Sequence, residues 1–195
     1  MRCSNLLASA IALASCVAAL AQTPPYNLGR TPSEEEVRAW DISIGFAGKE
    51  LPPGSGTAAE GTKIYARRCA RCHGPTGTGA PPVAGGAPRR QLVGGKDTLT
   101  TLHPVKSIGS YWPFATTIWD YLNRAMPPNE EGTLSADEVY ALTAVLLYWN
   151  DIIRENDVID AKSLPKIEMP NRNGFVPPPW PVWKPGVPRP FGSYP

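Results

Sequence analysis

The 195-residue sequence is 42% hydrophobic and 18% charged, enough apolar material for one compact domain with a core of its own. Nineteen basic residues face 17 acidic ones, a near balance that excludes the concentrated basic surface of a nucleic-acid binder. The 23 prolines, gathered toward the ends, exclude long helices there.

The chain opens as a targeting segment. Arg2 is the one charge in the first 21 residues, Leu6 to Leu20 is an alanine-rich apolar run, and Ala19-Leu20-Ala21 places small residues where a signal peptidase reads. Residues 1–21 are therefore expected to be a signal peptide that sends the chain to the periplasm. The run is too short and too alanine-rich for a spanning helix, which needs about 20 strongly apolar residues. Leu13-Ala14-Ser15-Cys16 also resembles a lipoprotein box, the alternative being a lipid anchor on Cys16. Cleavage after Ala21 would remove Cys3 and Cys16, leaving Cys69 and Cys72 with no disulfide framework elsewhere.

Residues 22–56 read as an N-terminal extension with one short helix. Thr31 and Glu34 fit a capping box, Pro32 fits the first helical position, and Val37, Trp40 and Ile44 share a face. Gly45 to Gly56 reads as a loop. The main domain is expected over 57–155, where Thr57 and Glu60 form a second capping box opening a helix that runs to about Cys69. Gly74 to Gly95 is rich in glycine and proline and reads as irregular. A third helix fits Pro113 to Arg124, with Phe114, Ile118 and Leu122 four apart and Met126-Pro127-Pro128 as its stop. Ser135 with Glu138 caps a fourth, on which Val139, Leu142, Leu146 and Trp149 form a single apolar stripe. Residues 156–195 read as an extended tail: ten prolines follow Leu164, and that stretch is expected to form no core. No strand is predicted. Such an all-α domain with long loops calls for something other than side chains at its centre.

Cys69-Ala70-Arg71-Cys72-His73 has the C-x-x-C-H spacing of a covalent haem attachment site. Two cysteines three apart at a helix end present both sulfurs to one side, where they match the two vinyl groups of a haem, and the adjacent histidine lies over the iron. A structural zinc would need a fourth ligand, for which the chain offers His103 or carboxylates, and a thioredoxin-like dithiol would expect a sheet. Haem c, one per chain, is the expected cofactor. Met126, Met169 and His103 are the candidates for the sixth ligand. Met126 is preferred, because the proline break after Arg124-Ala125-Met126 would turn its sulfur inward; the competing role is a core gap-filler. Met/His ligation raises the reduction potential and closes the position a catalytic haem needs, which favours electron transfer. Lys63, Arg67, Arg68 and Arg71 place positive charge around the attachment helix, fit either for docking an acidic partner or for ordinary solvation. Tyr111, Trp112 and Trp119 are candidates for the pocket lining, with plain core packing as the alternative. A carbonyl of Pro81 or Pro82 would suit the ring N–H of His73.

With these features the chain resembles the class I cytochromes c, in which four or five helices surround one covalent haem. More narrowly it resembles the SoxD-type cytochrome subunit of sulfane and sulfite dehydrogenases. The resemblance rests on the segment from Tyr111 through Asp120-Tyr121-Leu122-Asn123-Arg124-Ala125-Met126 to Pro127, on Leu134 to Tyr148, and on Met169 to Phe175. It implies that Cys69 and Cys72 attach the haem and that His73 and Met126 hold the iron. The donor it implies is a molybdenum-cofactor dehydrogenase subunit, and the acceptor a downstream cytochrome or oxidase. Many members carry two haems, whereas this chain has one C-x-x-C-H. The alternatives are a haem enzyme acting directly on a thiol or thiosulfate, and a carrier serving an unrelated dehydrogenase such as a quinoprotein.

Overall fold

The computed structural model describes residues 28–79 and 91–176. The expected signal peptide, the Cys16 anchor, Pro81, Pro82 and the chain beyond Val176 lie outside them. The described residues fall into two units, one ending at Asp41 and the other beginning at Ile42.

The first unit carries α1 (Glu34–Trp40). Its cap differs from the expected one. Ser33, not Thr31, accepts from the N–H of Glu36 at 3.2 Å, and the Glu36 carboxylate accepts from the N–H of Ser33 at 2.8 Å. Arg30 forks onto the same carboxylate, which fixes Glu36 as the box partner and leaves Pro32 outside the helix. That hydrogen bond from Arg30, helped by the Ser33 N–H, holds the Glu36 carboxyl down to about 2.

The second unit is built from α2 (Ala58–Arg68), α3 (Ala70–His73), α4 (Ile108–Tyr111), α5 (Ala115–Ala125) and α6 (Ala136–Trp149). A two-residue ribbon adds β1 (Ser55–Gly56) against β2 (Ile159–Asp160), antiparallel, with Ser55 opposite Asp160 and Gly56 opposite Ile159. The expectation of no strand is corrected by this ribbon. A single 3-10 turn follows at Leu164–Lys166.

The capping boxes Thr57/Glu60 and Ser135/Glu138 both form, each satisfying two N–H groups that a helix start leaves unpaired. Between the two helices they open lies the largest contact of the fold. α2 turns Ala58, Gly61 and Tyr65 inward, and Gly61 sits so near α6 that a Cβ there would lie 2.0 Å from the Ala141 carbonyl oxygen. Gly56 approaches the same residue from β1, where a Cβ would lie 2.3 Å from the Ala141 nitrogen. α6 is not striped as expected. Every residue from Val139 to Leu147 is buried, because α2, α5 and both strands close around it. Thr143, in the middle of that run, satisfies its hydroxyl on the Val139 carbonyl at 2.7 Å.

α5 starts two residues later than expected. Phe114 is its cap position rather than its first face, and stacks on Phe46 with ring centroids 5.2 Å apart. The segment after Leu164 also departs from expectation: Leu164 (0% exposed) and Met169 (2%) are part of the core. The 3-10 turn accepts Pro165 at its start and so carries the chain back over α5 despite the prolines.

Candidate functional site

The C-x-x-C-H residues occupy the joint between α2 and α3. The Cys69 N–H closes α2 on the Tyr65 carbonyl at 2.9 Å. Its own backbone then leaves helical geometry (φ −121°, ψ −35°), and its carbonyl accepts from both Cys72 (3.1 Å) and His73 (3.0 Å). This break and extra turn hold the three side chains on one short segment. Cys69 packs against the core, Cys72 is exposed, and His73 is half-buried. Gly74 ends the turn at φ +79°, a conformation glycine adopts without penalty, and the Gly79 N–H returns to the His73 carbonyl at 3.0 Å. Beneath the joint Tyr65 meets Trp149 edge-on at 4.8 Å.

Burial, with a smaller push from Cys72 and an opposing pull from Arg68, raises the Cys69 thiol to about 11. A dithiol nucleophile needs the opposite shift, toward a thiolate at neutral pH. Among the described residues no group of three or more His, Cys, Asp or Glu side chains is placed to hold a metal ion.

The candidates for the distal position separate by burial. Met126 is the C-cap of α5, extended at φ −128° and ψ 145° as the following proline requires, and half-buried against the core. Met169 is enclosed by protein on all sides, and His103 is exposed in a turn. The segment after Met126 is tied to the attachment helix: Arg68 donates to the Thr133 hydroxyl and pairs with Glu130 at 3.3 Å. Arg68 is therefore engaged; Lys63, Arg67 and Arg71 are exposed.

Of the three aromatic candidates, Trp119 lies deep in the core beside Tyr140, its indole N–H without a hydrogen-bond partner among the described residues. Trp112 is half-buried with Tyr121 edge-on at 5.8 Å, and Tyr111 carries Lys106 on its face and Phe175 at its edge.

Sequence reasoning missed the residues that anchor the loops. Asp120 is a buried carboxylate that accepts from the Ile44 N–H and from Arg124 Nε, both at 2.8 Å. Burial would raise its pKa, but the Arg124 and Ile44 hydrogen bonds and the guanidinium charge together hold it below the usual carboxylate value. Asn150 accepts from Gly94 N–H at 3.0 Å and donates to the carbonyls of Leu92 and Leu146.

The chain is similar to one in a solved structure. The crystal structure of the sulfane dehydrogenase SoxCD from Paracoccus pantotrophus contains a chain that superposes with a TM-score of 0.71 and 40% identity, over 79% of this chain and 73% of that one. The chain belongs to the SoxD-type class I cytochromes c. A family model described as cytochrome c oxidase, cbb3-type, subunit III matches residues 56–144, a range that holds the C-x-x-C-H segment and Met126. No curated protein sequence matches the chain. As a class I cytochrome c the protein is an electron-transfer haem protein, and its side chains suit that group: two thiols three apart, an adjacent imidazole and a half-buried thioether, over an apolar floor. Among the described residues no helix is long and apolar enough to cross a membrane.

Proposed function

We propose that this protein is a periplasmic single-haem subunit that carries electrons from a molybdenum-cofactor dehydrogenase acting on a sulfur compound to a downstream cytochrome or oxidase. The observation that carries the reading is the 40% identity to a chain of SoxCD over 79% of this chain. Cys69 and Cys72 would hold the haem as thioethers, with His73 and Met126 as its axial donors. The full enclosure of Met169 and the exposure of His103 favour Met126 over both. Haem bound in this way supplies a one-electron couple whose potential a thioether ligand raises.

The chain's own residues then have three tasks. The Cys69 break fixes the imidazole and both sulfurs on one segment, while the proline after Met126 keeps that residue out of α5. Lys63 and Arg67 offer an exposed positive surface beside the joint, suited to an acidic docking face on the donor or acceptor.

The decisive test uses native protein purified from periplasm with its associates. Sulfite is added without oxygen while the haem spectrum is followed. Prompt reduction, with molybdenum present, is the expected result. An intact, dithionite-reducible haem that ignores sulfite and thiosulfate despite bound molybdenum would remove the sulfur substrate. Co-purification with a quinoprotein in place of a molybdenum subunit would overturn the partner.

A further inference from the structure

Arg68 stands immediately before Cys69, yet its guanidinium reaches the chain just after Met126. It donates to the Thr133 hydroxyl and pairs with Glu130 at 3.3 Å. Thr133 is itself built into the turn, its hydroxyl donating to the Glu130 carbonyl at 2.7 Å. One step closer to Met126, the Glu130 N–H donates to the Pro127 carbonyl at 3.0 Å. An unbroken series of hydrogen bonds thus runs from the attachment helix through Thr133 and Glu130 to the residue following Met126.

Two backbone features stiffen the same stretch. Asn129 and Gly132 both have positive φ, +65° and +72°, and the Asn129 N–H is held by the Glu131 carboxylate at 2.8 Å. On the other side, the Met126 N–H closes α5 on the Leu122 carbonyl at 3.3 Å. Met126 therefore has a helix end before it and a bolted turn after it, and the bolt is the arginine beside the attachment cysteine.

We propose that Arg68 is a positioning residue for Met126: by fixing the 127–133 turn to the attachment helix, it sets how readily the thioether leaves the haem iron. The Met126 sulfur departs more readily the more its backbone can swing away, and that motion strains the Arg68 bonds to Thr133 and Glu130. Arg68 is about one-third exposed and Glu130 more than half, so the bonds slow departure by a modest factor and do not lock the turn. The inference rests on Met126 being the axial ligand.

The test compares holoprotein variants Arg68→Gln, Thr133→Val, Arg68→Lys, Met126→Ala and Thr57→Ala. Carbon monoxide binding to the reduced form reads departure of the thioether. In the oxidised form, the urea concentration that abolishes the long-wavelength thioether-to-iron band is compared with that of far-UV unfolding. Arg68→Gln and Thr133→Val should each speed carbon monoxide binding about threefold to tenfold, the worth of one charge-assisted bond in a half-exposed setting. They should also lose the band before the helices unfold, and Arg68→Lys should recover part of both effects. Thr57→Ala removes a cap from α2 instead, and should lower stability while band and helices still disappear together. Rates within twofold of wild type for Arg68→Gln and Thr133→Val, with the band lost in Met126→Ala, would overturn the clamp and leave the ligand intact. A band that survives Met126→Ala would overturn the ligand itself, and the clamp with it.

Discussion

Gly61→Ala tests the tightest contact in the fold. A Cβ at this position would stand 2.0 Å from the Ala141 oxygen, 2.7 Å from the Ala141 carbonyl carbon and 2.9 Å from Val145 Cβ. These are backbone and branch-point atoms, which no rotamer change can move aside. To restore an ordinary carbon–oxygen separation, α2 and α6 must part by roughly 1 Å, and a gap of that size forfeits about a quarter to a half of each dispersion contact along the crossing. Overpacking of this kind costs about 1–3 kcal/mol, and the upper end applies because Gly56 confines Ala141 from another side. Replacing glycine by alanine inside a helix returns about 1 kcal/mol. The net expectation is a loss of about 2 kcal/mol, seen as a fall in Tm of about 5–12 °C for a domain of this size. Urea unfolding of the holoprotein should show a lower midpoint at unchanged slope. Ala66→Gly, on the exposed face of the same helix, supplies the reference for propensity alone, at about 1 kcal/mol lost. A Gly61→Ala protein as stable as wild type, or more so, would refute the close approach, since helix propensity would then be the whole effect.

Asp120 is held below the ordinary carboxylate value, so its contribution to stability is complete above about pH 4 and is lost as pH falls through its folded value. Asp120→Asn should therefore lower Tm at neutral pH and flatten the acid limb of the Tm–pH profile; a variant with an unchanged acid limb would remove Asp120 from it. Asn150→Ala should cost about 1–3 kcal/mol by orphaning the Gly94 N–H, and hydrogen exchange at Gly94 should accelerate ahead of that in α6. Reduction by the physiological donor should slow as ionic strength rises, and Lys63→Glu with Arg67→Glu should slow it further, in stopped-flow assays. A rate indifferent to both would place docking elsewhere.

What could be read in the sequence was local. The boxes at Thr57/Glu60 and Ser135/Glu138 form between residues three apart, and the C-x-x-C-H chemistry is complete within five, so neither depends on where the rest of the chain goes. The same local rule misplaced the α1 cap, because Ser33 and Thr31 both fit it and Arg30 decides between them. It also passed over α4, whose cap uses Ser110 where the pattern expects a glutamate or glutamine. Prolines concealed the burial of Leu164 and Met169, since the 3-10 turn uses Pro165 where an α-helix interior would reject it.

The remaining contacts join residues far apart in the chain, and a single sequence carries no signal for them: Ile44 with Asp120, Gly94 with Asn150, Arg68 with Thr133. Their placement follows from the scarcity of regular structure. Between α3 and α6 the described chain has two helices, of four and eleven residues, so most of its backbone polar groups lack a helical partner. Single polar side chains on the helices supply what a sheet would otherwise provide. Each of these side chains fastens one loop by one or two bonds, two in the case of Asn150 and the strand-free segment at Leu92 to Gly94. A loop held this way can be loosened by one substitution while the helical core stands. That is why Arg68 can be tested for an effect on Met126 separately from the stability of the fold, whereas Gly61, at the crossing of α2 and α6, can be tested only through it.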